Sequence, residues 1–369
     1  MSTLVDTLDE FTRPASLVRP ESGAMRCLAC AHRCLVKPGK RGLCQVRFNR
    51  DGTFMAPHGY IAGAQIDPIE KKPFSHFLPG SNALTFGMLG CDFHCDFCQN
   101  WLSSQVLRDD RATNSIGSIQ RVSPEQLVQM AVQSGAQVIA SSYNEPLITT
   151  EWAIEIFRLA VQAGIKCVYV SNGNATPEAL QALQPYLSGY KIDLKSMQQK
   201  NYRELGGKLQ NVLDTIKLAH DMGFWVEIVT LVIPEYNDSI EELWEAARYI
   251  SSISNDIPWH VTAFHSDYHM LDKPPTSVES LTRAAEIGQE AGLHYVYAGN
   301  LPGRVRSQED TYCPTCNTRL IQRMGYTIRE YKVTSQGTCP QCGTKQAGVW
   351  ATSPEEVNIG GSGYPRRVV

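Results

Sequence analysis

From residue 83 onwards, apolar runs of strand length alternate with amphipathic stretches of helix length. Seven runs are predicted as strands, at 83–89, 137–143, 166–171, 190–195, 224–233, 258–265 and 294–298. The stretches between them begin with helix-start signals, such as Ser123, Thr176 and Ser239 placed directly before a helical pattern. Repeated strand–helix units with continuous apolar strands predict an α/β fold with a parallel sheet. Six or seven such units favour a partial or full (β/α) barrel.

The regions on either side of this pattern differ from it. Residues 51–82 are interrupted by Gly and Pro, so we expect strands and loops there rather than long elements. We predict a Cys-rich, loop-rich segment at 1–74, a barrel at 75–305 and a small Cys-containing unit at 306–369.

Composition excludes several classes of protein. The 369 residues are 43% hydrophobic and 19% charged, with a net charge of -3, which indicates neither a nucleic-acid surface nor a membrane anchor. The first 20 residues lack the apolar core of a signal peptide, and no apolar run approaches the roughly 20 residues needed to cross a bilayer. We therefore expect a cytoplasmic protein. The oligomeric state does not follow from the sequence.

Eleven of the twelve cysteines are grouped into three sets. The sets are Cys27, Cys30, Cys34 and Cys44; Cys91, Cys95 and Cys98; and Cys313, Cys316, Cys339 and Cys342. Disulfide-dense proteins are typically small and exported, so grouped thiols in this chain indicate metal binding. Cys167 stands alone in an apolar run and is predicted to be a buried strand residue.

The middle set has only three cysteines, spaced C-x3-C-x2-C after the first predicted strand. A structural zinc site normally takes four ligands. Three thiolates also suit a [4Fe-4S] cluster whose fourth iron stays open for another ligand. A zinc ion held by three cysteines, with water or His94 as fourth ligand, is the alternative.

The outer sets each have four cysteines. The C-terminal pairs, in "CPTC" and "CPQCG", have the spacing of a zinc ribbon, so 306–369 is predicted to be a zinc-ribbon-like unit. The N-terminal set could hold zinc or an auxiliary [4Fe-4S] cluster that relays electrons, and its spacing does not decide between them. The basic and polar residues around it, His32, Arg33, Lys37, Lys40 and Arg41, favour structural zinc slightly.

The "GCDFHCDFC" loop, "YNEP", "SNGN" and "DLK" each fall at the end of a predicted strand, where barrels carry their chemistry. Together with "CLACAHRCLVKPGKRGLCQVR", "DPIEKKPFSHFLPG" and the terminal cysteine pairs, they resemble the radical S-adenosylmethionine (SAM) superfamily. The chain is similar to activating enzymes of the pyruvate formate-lyase activase type. More narrowly, it resembles the AmmeMemoRadiSam system radical SAM enzymes over most of its length.

This resemblance implies that Cys91, Cys95 and Cys98 hold a [4Fe-4S] cluster whose open iron binds SAM. It also places six residues around SAM, namely Asn144, Glu145, Ser171, Asn172, Asp193 and Lys195. The superfamily usually has a Gly-Gly-Glu-like motif where "YNEP" stands, so here the glycines are replaced and Glu145 keeps the carboxylate. Val170 stands where the activases have an acidic residue of a cation site, which leaves that cation open.

Two further polar stretches are of interest. His265, Asp267 and His269 match a region that faces SAM and substrate in the activases, and they are candidates for a catalytic role or for a loop network. The charged residues between prolines at 68–79 are typical of a solvated loop, but their place before the first barrel strand also suits a role in closing the active site.

The resemblance implies cleavage of SAM to a 5'-deoxyadenosyl radical, which abstracts hydrogen from a glycine of a partner protein or from a small molecule. An electron donor such as flavodoxin or ferredoxin is implied as well. The family name records Memo-type and AMMECR-type proteins as companions. The rival hypothesis is a non-catalytic zinc protein in which all three cysteine sets are structural and recruit partners.

Overall fold

The computed structural model describes residues 3–112, 119–305, 307–361 and 363–368. Its N-terminal part contains one helix and eight short strands. These are α1 (Leu4–Glu10), β1 (Thr12–Pro14), β2 (Val18–Glu21), β3 (Ala24–Cys27), β4 (Leu35–Val36), β5 (Phe48–Arg50), β6 (Thr53–Pro57), β7 (Tyr60–Ile61) and β8 (Gly63–Pro68). Residues 51–82 therefore form short strands and turns, as predicted from their Gly and Pro content.

The central part alternates strands and helices. Its elements are β9 (Asn82–Gly87), α2 (Trp101–Ser104), β10 (Gln120–Arg121), α3 (Pro124–Gln133), β11 (Val138–Ser141), α4 (Thr150–Gln162), β12 (Lys166–Ser171), α5 (Pro177–Leu183), β13 (Gly189–Asp193), α6 (Gln199–Glu204), α7 (Leu209–Asp221), β14 (Trp225–Val232), α8 (Ile240–Ile253), β15 (Trp259–Ala263), α9 (Val278–Glu290) and β16 (Val296–Gly299). All seven predicted strands are confirmed. The predicted helix starts are also confirmed, because Ser123, Thr176 and Ser239 cap α3, α5 and α8.

Nine strands form the main sheet, in the order β16-β15-β14-β13-β12-β11-β9-β8-β20, where β20 is Arg366–Arg367. The seven strands from β16 to β9 are parallel, whereas β8 and β20 are antiparallel additions at one end. Within the described residues β16 and β20 do not pair, so the sheet is a partial rather than a closed barrel. The curvature is evident because side chains from β12 to β16 line one cavity.

The main sheet extends beyond the predicted range of 75–305. Strand β8 comes from the N-terminal segment and pairs along β9 from Gly63 to Pro68, while β20 comes from the C-terminal unit. An unpaired β9 would expose a row of backbone donors and acceptors, and β8 covers that edge. The N-terminal and C-terminal segments are thus built onto the sheet rather than simply linked to it.

The C-terminal unit has a small core of its own. It contains β17 (Thr311–Tyr312), β18 (Arg319–Met324) and β19 (Thr327–Tyr331), which form an antiparallel sheet beside the four C-terminal cysteines. The unit packs on the barrel through His76, whose Nδ1 lies 2.7 Å from the carbonyl oxygen of Ala347. In the part of the chain that the structure describes, no helix is long and apolar enough to span a membrane.

Candidate active site

The three cysteines of the middle set lie on one loop after β9. Cys95 is buried and Cys91 and Cys98 are half-buried. The backbone N–H of Cys98 donates to the carbonyl oxygen of Cys95 at 3.2 Å, which makes a tight turn, and the N–H of Phe93 donates to the sulfur of Cys91 at 3.4 Å. All three thiols line a cavity of about 420 Å³ at the carboxyl end of the parallel strands.

The arrangement of these three sulfurs differs from that of the C-terminal cysteine set. Around one zinc ion, with Zn–S bonds of about 2.3 Å, tetrahedral sulfurs lie about 3.8 Å apart. Among the described residues, which include all twelve cysteines, only the C-terminal set brings three or more ligand atoms within 4.8 Å of one another. The sulfurs of Cys91, Cys95 and Cys98 do not converge in this way. They fit a [4Fe-4S] cluster, in which each thiolate binds a different iron.

Asp92, which follows the first cysteine of this loop, holds the loop against β12. It is 2% exposed and accepts hydrogen bonds from Nδ2 of Asn172 at 2.7 Å and Nδ2 of Asn174 at 2.8 Å. Sequence reasoning did not assign this residue. A carboxylate inside an apolar cysteine loop is the signal that could have identified it, because a buried carboxylate needs partners.

Glu145 joins the ends of β11 and β12. Its Oε1 accepts hydrogen bonds from Oγ of Ser171 at 2.7 Å and from the N–H of Leu147 at 3.1 Å, and its Oε2 accepts from the N–H of Asn172 at 2.8 Å. Burial, together with the charge of Asp92, raises the pKa of Glu145. The structure thus brings three of the six residues predicted around SAM into one hydrogen-bonded group.

The two residues before Glu145 show how the chain replaces the glycines of the superfamily motif. Tyr143 has φ = +70°, so the left-handed conformation falls on Tyr143 rather than on Asn144. The Tyr143 hydroxyl donates to Oδ2 of Asp67 at 2.7 Å, and Nζ of Lys72 lies 4.3 Å from the centroid of its ring. Asn144 Oδ1 accepts from the N–H of Met88 at 3.0 Å. These contacts hold a backbone conformation that costs energy in a non-glycine residue.

Asp193 lies between two lysines at the end of β13. It pairs with Lys191, and its Oδ2 lies 3.3 Å from Nζ of Lys195. Burial acts against ionisation, but the two lysines lower the pKa of Asp193 overall. Lys191 was not predicted, although it is two residues before Asp193 on a strand and so lines the same face. Because two cations of the chain neutralise Asp193, this carboxylate does not require a metal ion as partner.

The end of the cavity away from the cysteines is polar and includes residues of the C-terminal unit. Glu70, Lys72, His260, Tyr297, Glu309 and Arg323 are all buried and line this part. Burial raises the pKa of Glu70 to about 7, against the effect of the Arg323 charge. Burial also lowers the pKa of Lys72 to about 8, partly offset by Asp67. The charged 68–79 stretch thus reaches the cavity wall, which agrees with a role in closing the site.

The three catalytic candidates and the alternative zinc ligand do not line the cavity. His265 is exposed beside Gln99, and His269 is exposed beside Asp109, with 3.7 Å between Nε2 and Oδ2. Asp267 is half-buried in the same loop, and none of the three lines the cavity. His94, the alternative fourth ligand of a zinc site, is exposed and packs on Gly206. The catalytic assignment of His265, Asp267 and His269 stays a prediction.

The two outer cysteine sets differ from each other. In the C-terminal set the sulfurs of Cys313 and Cys342 are 3.6 Å apart, and those of Cys316 and Cys339 are 3.7 Å apart, which is compatible with one zinc ion. Cys27, Cys30, Cys34 and Cys44 lie together in the N-terminal part but do not converge so closely. Cys167 is fully buried in β12, as predicted.

The chain was compared with known proteins. The family model of the radical SAM superfamily matches residues 86–250. The uncharacterized protein MJ0808 from Methanocaldococcus jannaschii is 34% identical over 328 residues, which are 88% of this chain and 96% of that protein. GTP 3',8-cyclase from Campylobacter fetus is 20% identical over 254 residues, 64% of this chain and 76% of that protein.

Solved structures include a domain of the pyruvate-formate lyase-activating enzyme from Bacteroides vulgatus, with 20% identity and a TM-score of 0.40 over 44% of this chain and 98% of that chain. The family match includes the cysteine loop and the ends of β11, β12 and β13. This chain is therefore an enzyme of the radical SAM superfamily, and its membership implies a [4Fe-4S] cluster and SAM binding.

Proposed function

We propose that this enzyme cleaves SAM reductively at a cluster held by Cys91, Cys95 and Cys98 and uses the product to abstract hydrogen from a small polar substrate. When bound, the cluster supplies the electron that splits the sulfonium of SAM into methionine and a 5'-deoxyadenosyl radical. One observation carries the proposal: three thiols, and no fourth cysteine among the described residues, line the same cavity as all six residues predicted around SAM.

The chain's own groups would bind SAM through charge complementarity. Glu145 offers a carboxylate that the SAM ammonium group can approach, and the cationic Lys195 lies on the same cavity wall. Asp193 holds Lys195 in place, and although burial opposes it, this pairing raises the pKa of Lys195 and keeps it charged. The amide side chains of Asn144 and Asn172 supply further donors and acceptors beside Glu145.

The polar end of the cavity supports a small molecule rather than the glycine of a partner protein as substrate. Arg323 and Glu309 come from the C-terminal unit, so this unit forms part of the cavity wall. Arg323 is 6% exposed and, within the described residues, makes no salt bridge. An anionic group of a substrate would compensate that buried charge.

An external one-electron donor is needed for this chemistry, and a flavodoxin or ferredoxin is the class we propose. The Memo-type and AMMECR-type companions rest on the narrower family resemblance alone.

The test is deuterium transfer. Candidate small molecules, deuterated at the reacting carbon, are incubated with reconstituted enzyme, SAM and dithionite, and 5'-deoxyadenosine is analysed by mass spectrometry. Deuterium in 5'-deoxyadenosine from a small molecule supports the proposal. Deuterium appearing only from a glycine-labelled partner protein would instead show an activase reaction, and no formation of 5'-deoxyadenosine would contradict SAM cleavage itself.

A further inference from the structure

The N-terminal thiols form a site outside the cavity, in which Cys27, Cys30 and Cys44 are buried and Cys34 is half-buried. The backbone N–H of Cys27 donates to the carbonyl oxygen of Cys34 at 2.9 Å, which brings the ends of β3 and β4 together. The N–H of Leu43 donates to the sulfur of Cys34 at 3.5 Å, and this brings in the turn that carries Cys44. Cys30 is buried in the connection between β3 and β4.

Neither these four sulfurs nor those of Cys91, Cys95 and Cys98 converge as the sulfurs of the C-terminal set do. No three sulfurs of the N-terminal set lie within 4.8 Å of one another, whereas all four sulfurs of the C-terminal set do. One zinc ion with bonds of about 2.3 Å cannot reach thiolates that remain spread in this way. A cube with four iron atoms, each taking one thiolate, requires such a spread. The geometry therefore favours an auxiliary [4Fe-4S] cluster at the N-terminal set. The basic residues around the set had slightly favoured structural zinc.

The site also contacts the loop that holds the other cluster. Nε2 of His32 lies 3.2 Å from the carbonyl oxygen of Asp92, the residue that follows Cys91. The N–H of Ala31 donates to the carbonyl oxygen of Asn174 at 2.8 Å, and Asn174 in turn donates to Asp92. Packed, hydrogen-bonded protein thus connects the two cysteine sets directly.

The outer side of the N-terminal site carries a distinctive surface. Leu35 is 43% exposed and Leu43 is 54% exposed, and the exposed Lys37 and Lys40 lie in the same segment. An apolar patch with lysines beside it suits a transient complex with an acidic protein.

We propose that Cys27, Cys30, Cys34 and Cys44 bind a second [4Fe-4S] cluster, which passes electrons from an acidic one-electron donor protein to the cluster at Cys91, Cys95 and Cys98. One electron enters from the reduced donor, and the same electron leaves to the cluster in the cavity. No bond is formed or broken at the N-terminal site. The relay rests on the proposed SAM chemistry, whereas the presence of the second cluster does not.

Metal content tests the cluster independently of activity. Anaerobically reconstituted full-length protein is expected to hold about eight iron atoms, about eight sulfides and about one zinc ion per chain. The Cys91→Ala/Cys95→Ala/Cys98→Ala variant keeps the N-terminal site intact and should hold about four iron atoms that give the electron paramagnetic resonance signal of a reduced [4Fe-4S] cluster. About four iron atoms and two zinc ions in the unmodified protein, and no such signal in this variant, would overturn the proposal.

The relay is tested by comparing reductants. In Cys27→Ala/Cys30→Ala, the ratio of the flavodoxin-driven to the dithionite-driven rate of 5'-deoxyadenosine formation should fall at least about tenfold. Cys167→Ala is the matched control, since Cys167 is buried away from all three sets. An unchanged ratio would overturn the relay. If the protein holds eight iron atoms but forms no 5'-deoxyadenosine, the proposed function is contradicted, whereas the second cluster is still supported.

Discussion

The backbone N–H of Asn172 donates a 2.8 Å hydrogen bond to Oε2 of Glu145, and so fixes the end of β12 to the end of β11. Ser171 donates to the other oxygen of the same carboxylate at 2.7 Å. The carboxylate is thus held in one orientation before any ligand arrives. Such preorganisation reduces the ordering that binding would otherwise require.

Replacing Glu145 by Gln should weaken SAM binding at least about tenfold, because a charge-assisted contact to the ammonium group becomes a neutral one. Binding can be measured by equilibrium dialysis with reconstituted protein. Glu241→Gln, an exposed substitution in the first turn of α8, is the control and should bind SAM like the unmodified enzyme. Equal affinity in both variants would show that Glu145 does not contact SAM.

Glu70 should make stability depend on pH. Its folded pKa of about 7 lies above the usual value of 4.5, so the folded state holds the proton more tightly than the unfolded state. This contribution is complete below the unfolded pKa of 4.5, falls as pH rises from there, and is lost once pH has passed through the folded pKa of about 7. Between pH 6 and 8 the unmodified protein should therefore lose about 1 kcal/mol of unfolding free energy that Glu70→Gln retains. Denaturant titrations at both pH values measure the difference, and parallel losses would contradict it.

Arg323 should control the pH at which this loss occurs. Its charge lowers the pKa of Glu70 against the effect of burial. In an Arg323→Gln background, the stability difference between protein that keeps Glu70 and its Glu70→Gln variant should therefore continue to change up to a higher pH. Arg329→Gln, an exposed change on the same small sheet, should leave the midpoint where it was. A shift with Arg329→Gln, or none with Arg323→Gln, would be inconsistent with this electrostatic contact.

Replacing a cysteine of the C-terminal set should mainly affect the folding of the C-terminal unit rather than SAM cleavage. Cys316→Ala removes one of four converging thiolates, so the bound zinc should fall from about one ion per chain to near zero. The C-terminal unit should then be cleaved by protease at least about tenfold faster, because its own core is small. Metal analysis and limited proteolysis measure both effects. If zinc is retained, or if iron is lost instead, the ribbon assignment is wrong.

The parallel sheet was predictable because buried parallel strands are continuously apolar and their helices carry capping residues at the start. The three thiols and Glu145 were predictable because cysteine spacing and strand-end position are local features of the chain. Asp92 was missed although it lies within the "GCDFHCDFC" motif, and Lys191 was missed although it lies in a predicted strand two residues before "DLK".

Arg323 could not be predicted as part of the cavity. It lies 248 positions from Ser75, to whose carbonyl oxygen it donates a hydrogen bond, and no local pattern encodes such a pairing. The same holds for the antiparallel β20, which joins the sheet by pairing Arg366 with Ile66. His265 and His269 were assigned from the family resemblance, and the structure places them in an exposed loop beside Gln99 and Asp109, so their catalytic role stays a prediction.

The central claim is that Cys91, Cys95 and Cys98 hold a cluster at which SAM is cleaved. The most direct measurement is 5'-deoxyadenosine formed by anaerobically reconstituted protein with SAM and dithionite. We expect formation by the unmodified protein and by Cys167→Ala, and at least about a hundredfold less in Cys91→Ala, Cys95→Ala and Cys98→Ala. No 5'-deoxyadenosine from protein with a full complement of iron, or equal amounts from the three variants, would contradict the claim.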